Sequence, residues 1–173
     1  MYEPAEDSYL IEKHIKNYPS KNCLEIGTGS GILALEASNY CKKVLAVDID
    51  KQAIDYCKKN IKKKNIKFKL SDLFSNVKGK FDLILFNPPY LPNDKLVKDR
   101  ALDGGKKGYE IIERFLNNVN SHLNKNGKIL LIFSSLTNKN KINSLIKKNN
   151  LKFKELEKQK FFFEEIYLYI IYK

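Results

Sequence analysis

The chain has no tryptophan and a single methionine, and only two of its 32 basic residues, Arg100 and Arg114, are arginine. It also lacks any long apolar run. No window approaches the roughly 18 consecutive apolar residues of a membrane span, and the opening "MYEPAEDSYL" has neither the basic start nor the apolar core of a secretory signal. The expectation is a soluble, cytoplasmic protein without membrane contact. Cysteine is scarce too: Cys23, Cys41 and Cys57 are odd in number and form no CxxC pair, which argues against a disulfide framework or a zinc knuckle. They are expected as small buried hydrophobes. His14 and His122 are isolated in the sequence, so no metal site is expected.

The shortage of arginine bears on the formal charge of +12. Such a charge can mark an acidic partner such as nucleic acid. A phosphate-reading surface, however, usually draws on the fork of Arg as well as on Lys, and here lysines are scattered along the chain beside many Asn and Ile residues. The charge is read as compositional filling of solvated faces. With 173 residues and 43% hydrophobic content, the chain suits one domain spanning 1–173 that buries a real core.

Strand-length apolar runs alternate with segments of helical period, the pattern of βαβ units and a parallel sheet. The strand candidates are "NCLEIG", "KVLAVDI", "IKFKL", "FDLILF" and "KILLIFS"; "LKFKELEKQ" and "EEIYLYIIY" follow near the end as an antiparallel hairpin. Helices are predicted over "EDSYLIEKHIKN", "SGILALEASNY", "KQAIDYCKKNIKK", "GYEIIERFLNNVNSHL" and "TNKNKINSLIKKN". The fold class is α/β: a doubly wound, Rossmann-like, seven-stranded sheet, mostly parallel with an antiparallel end. "NKNGK" and "NDKLVKDR" read as loops, the second placed where a lid or substrate loop would lie.

"LEIGTGSGI" joins the first strand to the first following helix and puts glycine at 27, 29 and 31. Glycines at such a turn let a ligand approach closely, while the helix start supplies free N–H groups. A dinucleotide fingerprint GxGxxG would need glycine at 32, where Ile32 stands, so the match to NAD binding is incomplete. Asp48 ends the second strand 21 positions after Gly27, suited to accept hydrogen bonds from both hydroxyls of a ribose. Asp72, just past the third strand, can accept from an exocyclic amine. Glu25 carries an unusual charge near a strand end, where it can meet a cationic or amino group. Together these features resemble the class I S-adenosylmethionine-dependent methyltransferases over roughly positions 22 to 134.

"NPPY" at 87–90 then falls on the edge that faces the methyl donor. Two prolines cannot continue a central strand, but they can hold a carbonyl rigidly. If the Asn87 side-chain carbonyl and the Pro88 backbone carbonyl each accept one N–H of a planar NH₂ group, they orient its nitrogen and stabilise the charge that grows on it. Tyr90 would pack against the planar group. "YEPAEDSYLIEKHI" and "LDGGKKG" at 102–108 closely resemble the HemK-like protein-glutamine N5-methyltransferases, in their short archaeal and eukaryotic form. That resemblance implies S-adenosyl-L-methionine as cofactor and, as substrate, the Gly-Gly-Gln loop of a class I translation termination (release) factor. It implies cofactor contacts from Ser8, Glu25, Gly27, Gly29, Asp48, Asp72, Leu73 and Asn87, and substrate contacts from Asn87, Pro88 and Tyr90. It implies as well a small zinc-binding activator protein along the third strand, which the usual strand order of these enzymes puts at a sheet edge. Lys67 and Lys69 there also fit a free edge blunted against pairing.

Two other readings stay open at this point. "NPPY" and the charge of +12 also suit an N6-adenine methyltransferase of DNA or RNA, although 173 residues leave no target-recognition domain. A non-catalytic lysine-rich RNA-binding module would keep the fold without needing the acids or "NPPY".

Overall fold

A computed structural model describes residues 6–90 and 104–173. Tyr2, Glu3 and Pro4, the loop "NDKLVKDR" and the first two residues of "LDGGKKG" lie outside these residues. The elements run in order α1 (Glu6–Ile15), β1 (Ser20–Ile26), α2 (Ile32–Tyr40), β2 (Cys41–Asp48), α3 (Lys51–Asn60), β3 (Ile66–Leu70), β4 (Phe81–Phe86), α4 (Glu110–Val119), β5 (Leu123–Ser134), α5 (Lys139–Lys148), β6 (Lys152–Lys160) and β7 (Glu165–Tyr172). A 3₁₀ turn, Ser135–Thr137, links β5 to α5.

The strands form one sheet in the order β3-β2-β1-β4-β5-β7-β6. β1 to β5 are mutually parallel, and β7 runs antiparallel to both β5 and β6. The expected doubly wound sheet with its terminal hairpin is therefore present, and β3 lies at an edge. Strand order reverses between β1 and β4, the position at which open α/β sheets hold ligands.

Central strands apolar on both sides make both faces of the sheet buried. In β4, Leu83 and Leu85 join one buried cluster, with Leu10, Ile11 and Ile15 of α1 and Leu33, Ala34 and Ala37 of α2. Ile84 and Phe86 join the other, with Ile112, Phe115 and Leu116 of α4 and Ile142, Leu145 and Ile146 of α5. β7 splits the same way, Leu168 and Ile170 to one face and Tyr167 and Tyr169 to the other. The three cysteines are free and buried, as small hydrophobes would be.

One expected loop is not a loop. "NKNGK" lies within β5, whose pairing with β4 jumps from Phe81↔Leu123 to Leu83↔Lys128. The intervening residues bulge out while the strand on either side stays paired, a local irregularity that a polar, glycine-containing stretch accommodates. The helix predicted over 108–123 is correspondingly shorter, Glu110–Val119, because Asn120 to His122 turn back so that the His122 carbonyl accepts from the Phe81 N–H at 2.8 Å.

Leu85 is fully buried at the centre of the sheet. Leu85→Ala is expected to lower the unfolding free energy by about 2–5 kcal/mol, read from urea denaturation. A loss below 1 kcal/mol (about the size of an Ile→Val change) would mean that the two-faced core does not dominate stability.

Candidate active site

The β1–α2 turn is built by glycine. Gly27 and Gly31 have φ of +72° and +83°, a region that residues with a Cβ avoid. At Gly31 a Cβ would also stand 2.5 Å from Ile61 Cδ1 and 3.0 Å from Cys57 Sγ. The backbone N–H of Gly29 donates to Asp48 Oδ2 at 2.8 Å, and that of Asp50 to Asp48 Oδ1 at 2.8 Å. The Asp48 carboxylate is thus fixed by one backbone donor on each oxygen, which leaves each oxygen acceptor capacity for a ligand.

Around this turn opens a cleft of about 670 Å³, within the range of small-molecule sites. It is lined by all ten predicted positions: Ser8, Glu25, Gly27, Gly29, Asp48, Asp72, Leu73, Asn87, Pro88 and Tyr90. Other residues that sequence reasoning missed line it as well, among them Asp7, Thr28, Ile49, Ile111 and Arg114. Thr28 was findable, since it stands three positions after Glu25 inside the glycine loop. Arg114 was findable as one of only two arginines in the chain.

Glu25 is almost sealed, at 1% exposure, and one carboxylate oxygen accepts from Thr28 Oγ1 at 2.6 Å. Burial, helped by the nearby negative charge of Asp48 and opposed by the Thr28 hydrogen bond, raises its carboxyl to about 8. The sequence suggests a charged carboxylate near a strand end; the structure gives a buried carboxyl whose neutral form burial favours. Asp72 differs again. It is 43% exposed and accepts from the Arg114 guanidinium at 2.7 Å, so an α4 residue bridges to the β3 loop across the cleft mouth. Leu73 next to it has φ +46°, an uncommon backbone state held by a Ser71 Oγ–H donated to the Leu73 carbonyl at 2.8 Å. Such outliers gather at ligand sites. Ile49, directly after Asp48, is 64% exposed and gives the cleft an apolar surface.

The double-proline turn is held from three directions. Asn87 Nδ2 donates to Ser8 Oγ at 3.4 Å, a long contact, and Tyr90 Oη donates to Asp7 Oδ2 at 3.1 Å, so α1 meets the turn from one side. Thr137 Oγ1 donates to the Tyr90 carbonyl at 3.3 Å from the 3₁₀ turn after β5. Gly104 packs from the third side, so closely that a Cβ there would lie 2.8 Å from the Pro89 carbonyl oxygen. Asn87 Oδ1 is buried yet accepts no hydrogen bond among the described residues. Buried acceptors are nearly always paired, so this oxygen, on a residue that lines the cleft beside buried Pro88, keeps its acceptor capacity unspent among the described residues.

Comparison with known proteins gives the family to which this fold belongs. The methyltransferase small domain profile matches residues 6–163. The chain belongs to the methyltransferase small domain family. A Methanocaldococcus jannaschii protein provisionally named as a protein N5-glutamine methyltransferase is 41% identical over 174 residues, covering 96% of this chain and 88% of that protein. The release factor glutamine methyltransferase of Haemophilus influenzae is 31% identical over 142 residues, 70% of this chain, and this methyltransferase spans 49% of its length. In fold, the chain is similar to the solved Mtq2–Trm112 complex of E. cuniculi, described as responsible for methylation of the eRF1 translation termination factor. The TM-score is 0.83 at 22% identity, covering 99% of this methyltransferase and 98% of the other chain.

The raised Glu25 carboxyl makes a signed prediction for the free methyltransferase. A carboxyl near 4.5 unfolded and about 8 folded binds more protons in the folded state between those values. Stability from this group is therefore fully present below about pH 4.5 and declines as pH rises towards 8. Urea denaturation across that range should show Glu25→Gln losing less stability than wild type as pH rises. Parallel curves for the two proteins would show that Glu25 ionises normally.

Proposed function

We propose that the chain transfers a methyl group from S-adenosylmethionine to the side-chain amide nitrogen of glutamine in the Gly-Gly-Gln loop of a class I release factor. The observation that carries this reading is Asn87 Oδ1, buried and without a hydrogen-bond partner among the described residues, on a turn that prolines make rigid. It is supported by the 41% identical relative and by the release factor enzymes that match two thirds or more of the chain.

The acceptors of the cleft fit the donors of S-adenosylmethionine. Asp48 would take the ribose hydroxyls, Asp72 the adenine amine, and Glu25, once ionised, the ammonium of the methionine part. Ser8, the glycine turn and Leu73 would close around it. When bound, this cofactor supplies a methyl group activated by a sulfonium. Asn87 Oδ1 and the Pro88 carbonyl accept one N–H each from the substrate amide and hold its nitrogen with the lone pair directed into the cleft. The Asn87 amide is kept in this sense by Nδ2 bonding to Ser8 Oγ. Both oxygens favour the positive charge that develops as the nitrogen becomes tetrahedral. Tyr90, positioned by Asp7, packs on the planar group. No base is needed beforehand, because a methylated amide nitrogen is acidic enough to release its proton to water.

The substrate class is tested by incubating the protein with methyl-labelled cofactor and, separately, a class I release factor, the same factor with the target Gln→Ala, and total nucleic acid. Label on the intact factor alone is expected; label in nucleic acid would favour adenine methylation instead. Within this scheme Asn87→Ala should leave cofactor affinity within a few fold and lower kcat by about 10²–10³. Asp48→Ala should instead weaken cofactor binding, by about 1.5–3 kcal/mol per lost charged hydrogen bond, in calorimetric titration. Near-normal turnover in the first variant or unchanged affinity in the second would remove that residue from its role.

We infer further that a small activator subunit adds along β3. This strand pairs with β2 alone among the described residues, and Lys67 and Lys69 are exposed on it. An unpaired edge can accept another chain by strand addition. The Val44 N–H to Asn65 and Ser71 N–H to Asp48 bonds put the N–H groups of 67 and 69 on the β2 side, so Phe68→Pro and Leu70→Pro are the changes that each remove one edge N–H, and at least one of them should abolish co-purification of such a subunit. Retention of the subunit by both variants would refute edge docking.

A further inference from the structure

The hairpin between β6 and β7 ends in an unusual turn. The Phe161 N–H donates to the Glu164 carbonyl at 2.8 Å and closes a turn whose two central residues are Phe162 and Phe163. Turn positions of this kind favour Gly, Asn, Asp or Ser. Here they hold two phenyl rings that are 93% and 86% exposed. The rings meet edge to face at 4.7 Å and otherwise point to solvent. Phe161, in contrast, turns inward onto the same buried cluster that supports Tyr90.

The position of this tip gives it meaning. β7 begins opposite the end of β5, Ser134↔Ile166, so the turn projects from the same sheet edge as the Asn87 cleft. A short series of bonds joins the two. Ser134 Oγ donates to the Glu164 carboxylate, the Glu165 N–H donates to Ser135 Oγ at 3.0 Å, and Thr137 Oγ1 donates to the Tyr90 carbonyl at 3.3 Å. Leu136, on the connecting 3₁₀ turn, is itself 49% exposed. The apolar surface is thus fixed relative to the site that must receive the glutamine.

We propose that the Phe162–Phe163 tip, with Leu136, is the docking element that seats the folded protein substrate against the Asn87 site, a proposal that rests on the glutamine reading above. A single amide side chain offers little to recognise, so a protein substrate must be held by surface outside the cleft. Aromatic side chains, Phe among them, are enriched in the buried cores of such contacts. Charge around the tip selects against other occupants. Lys158 and Lys160 are balanced by Glu164 and Glu165, and Lys158 pairs with Glu165 at 3.4 Å, whereas phosphate backbones and anionic membranes select a basic surround. The partner chemistry is an apolar depression on the body of the release factor, beside its target loop.

The test is steady-state methylation of the intact release factor at saturating cofactor by wild type, F162S/F163S and F162L/F163L. The first variant should raise KM for the factor by about 10- to 100-fold, with kcat kept within about threefold and cofactor Kd unchanged. The second should recover most of the loss, since it restores apolar surface. An unchanged KM in F162S/F163S, a fall in kcat at constant KM or a changed cofactor Kd overturns the proposal while leaving the glutamine reading intact. It is likewise overturned by a wild-type dimer that the serine variant dissolves, or by wild-type binding to phosphatidylcholine–phosphatidylserine vesicles that the variant loses. A wild-type protein that methylates no release factor overturns both.

Discussion

The site depends on one register. β1 and β4 are parallel neighbours paired Ile26↔Phe86, so both strands end at the same level and the next residues, Gly27 and Asn87, emerge side by side. A Cβ built on Gly27 would lie 3.7 Å from the Asn87 carbonyl oxygen, which measures how close the two turns run. The same level extends outward. Ile26 pairs with Val47, Asp48 with Leu70, and the Ser71 N–H donates to the Asp48 carbonyl at 2.8 Å. Asp48, Asp72 and Asn87 are therefore brought to one edge by pairing rather than by any contact among themselves. Slipping β4 by one residue would send Phe86 to the opposite face and carry the double-proline turn away from the glycine loop. Burial on both faces is what forbids that slip.

The electrostatics of the cleft run against those of the chain. The protein carries a formal charge of +12, yet Asp7, Glu25, Asp48, Asp50 and Asp72 all line the cleft, with Arg114 and Lys51 the basic side chains beside them. At a separation beyond the Debye length of about 8 Å, scattered surface lysines are screened. Within a few ångströms the acids decide. The cleft is rich in acceptors, and a positive charge placed beside Glu25 would favour its ionised form. Net charge is therefore a poor guide to what this site holds, and the local arrangement is the better one.

The fold was largely legible because its signals are local. Alternation of apolar runs with helical periods, the terminal pair of strands and the glycine turn each occupy a few consecutive residues. "NPPY" was legible for the same reason: its oddity as a strand ending is visible without knowing the neighbours. What escaped depends on distant segments. Arg114 meets Asp72 across 42 residues and Asp7 meets Tyr90 across 83. The bulge that absorbs "NKNGK" into β5 exists only because β4 pairs on both sides of it. The raised Glu25 carboxyl is likewise a property of burial, which no spacing of residues reveals.

Rigidity at the double-proline turn explains why an unpaired acceptor survives there. Leaving a buried oxygen without a donor costs about 1–3 kcal/mol, and a flexible turn would relax by rotating the amide towards water or a neighbour. Pro88 and Pro89 remove the backbone freedom such a rotation would recruit. Ser8 engages the amide nitrogen, Tyr90 is tied to Asp7 and Thr137, and Gly104 closes off the far side. Among the described residues, none of these contacts uses Asn87 Oδ1. Because the oxygen is itself buried, a ligand donor that supplied the missing hydrogen bond would have to displace a neighbour of the turn to reach it, and the tethers from Ser8, Asp7 and Thr137 are the contacts such a shift would strain.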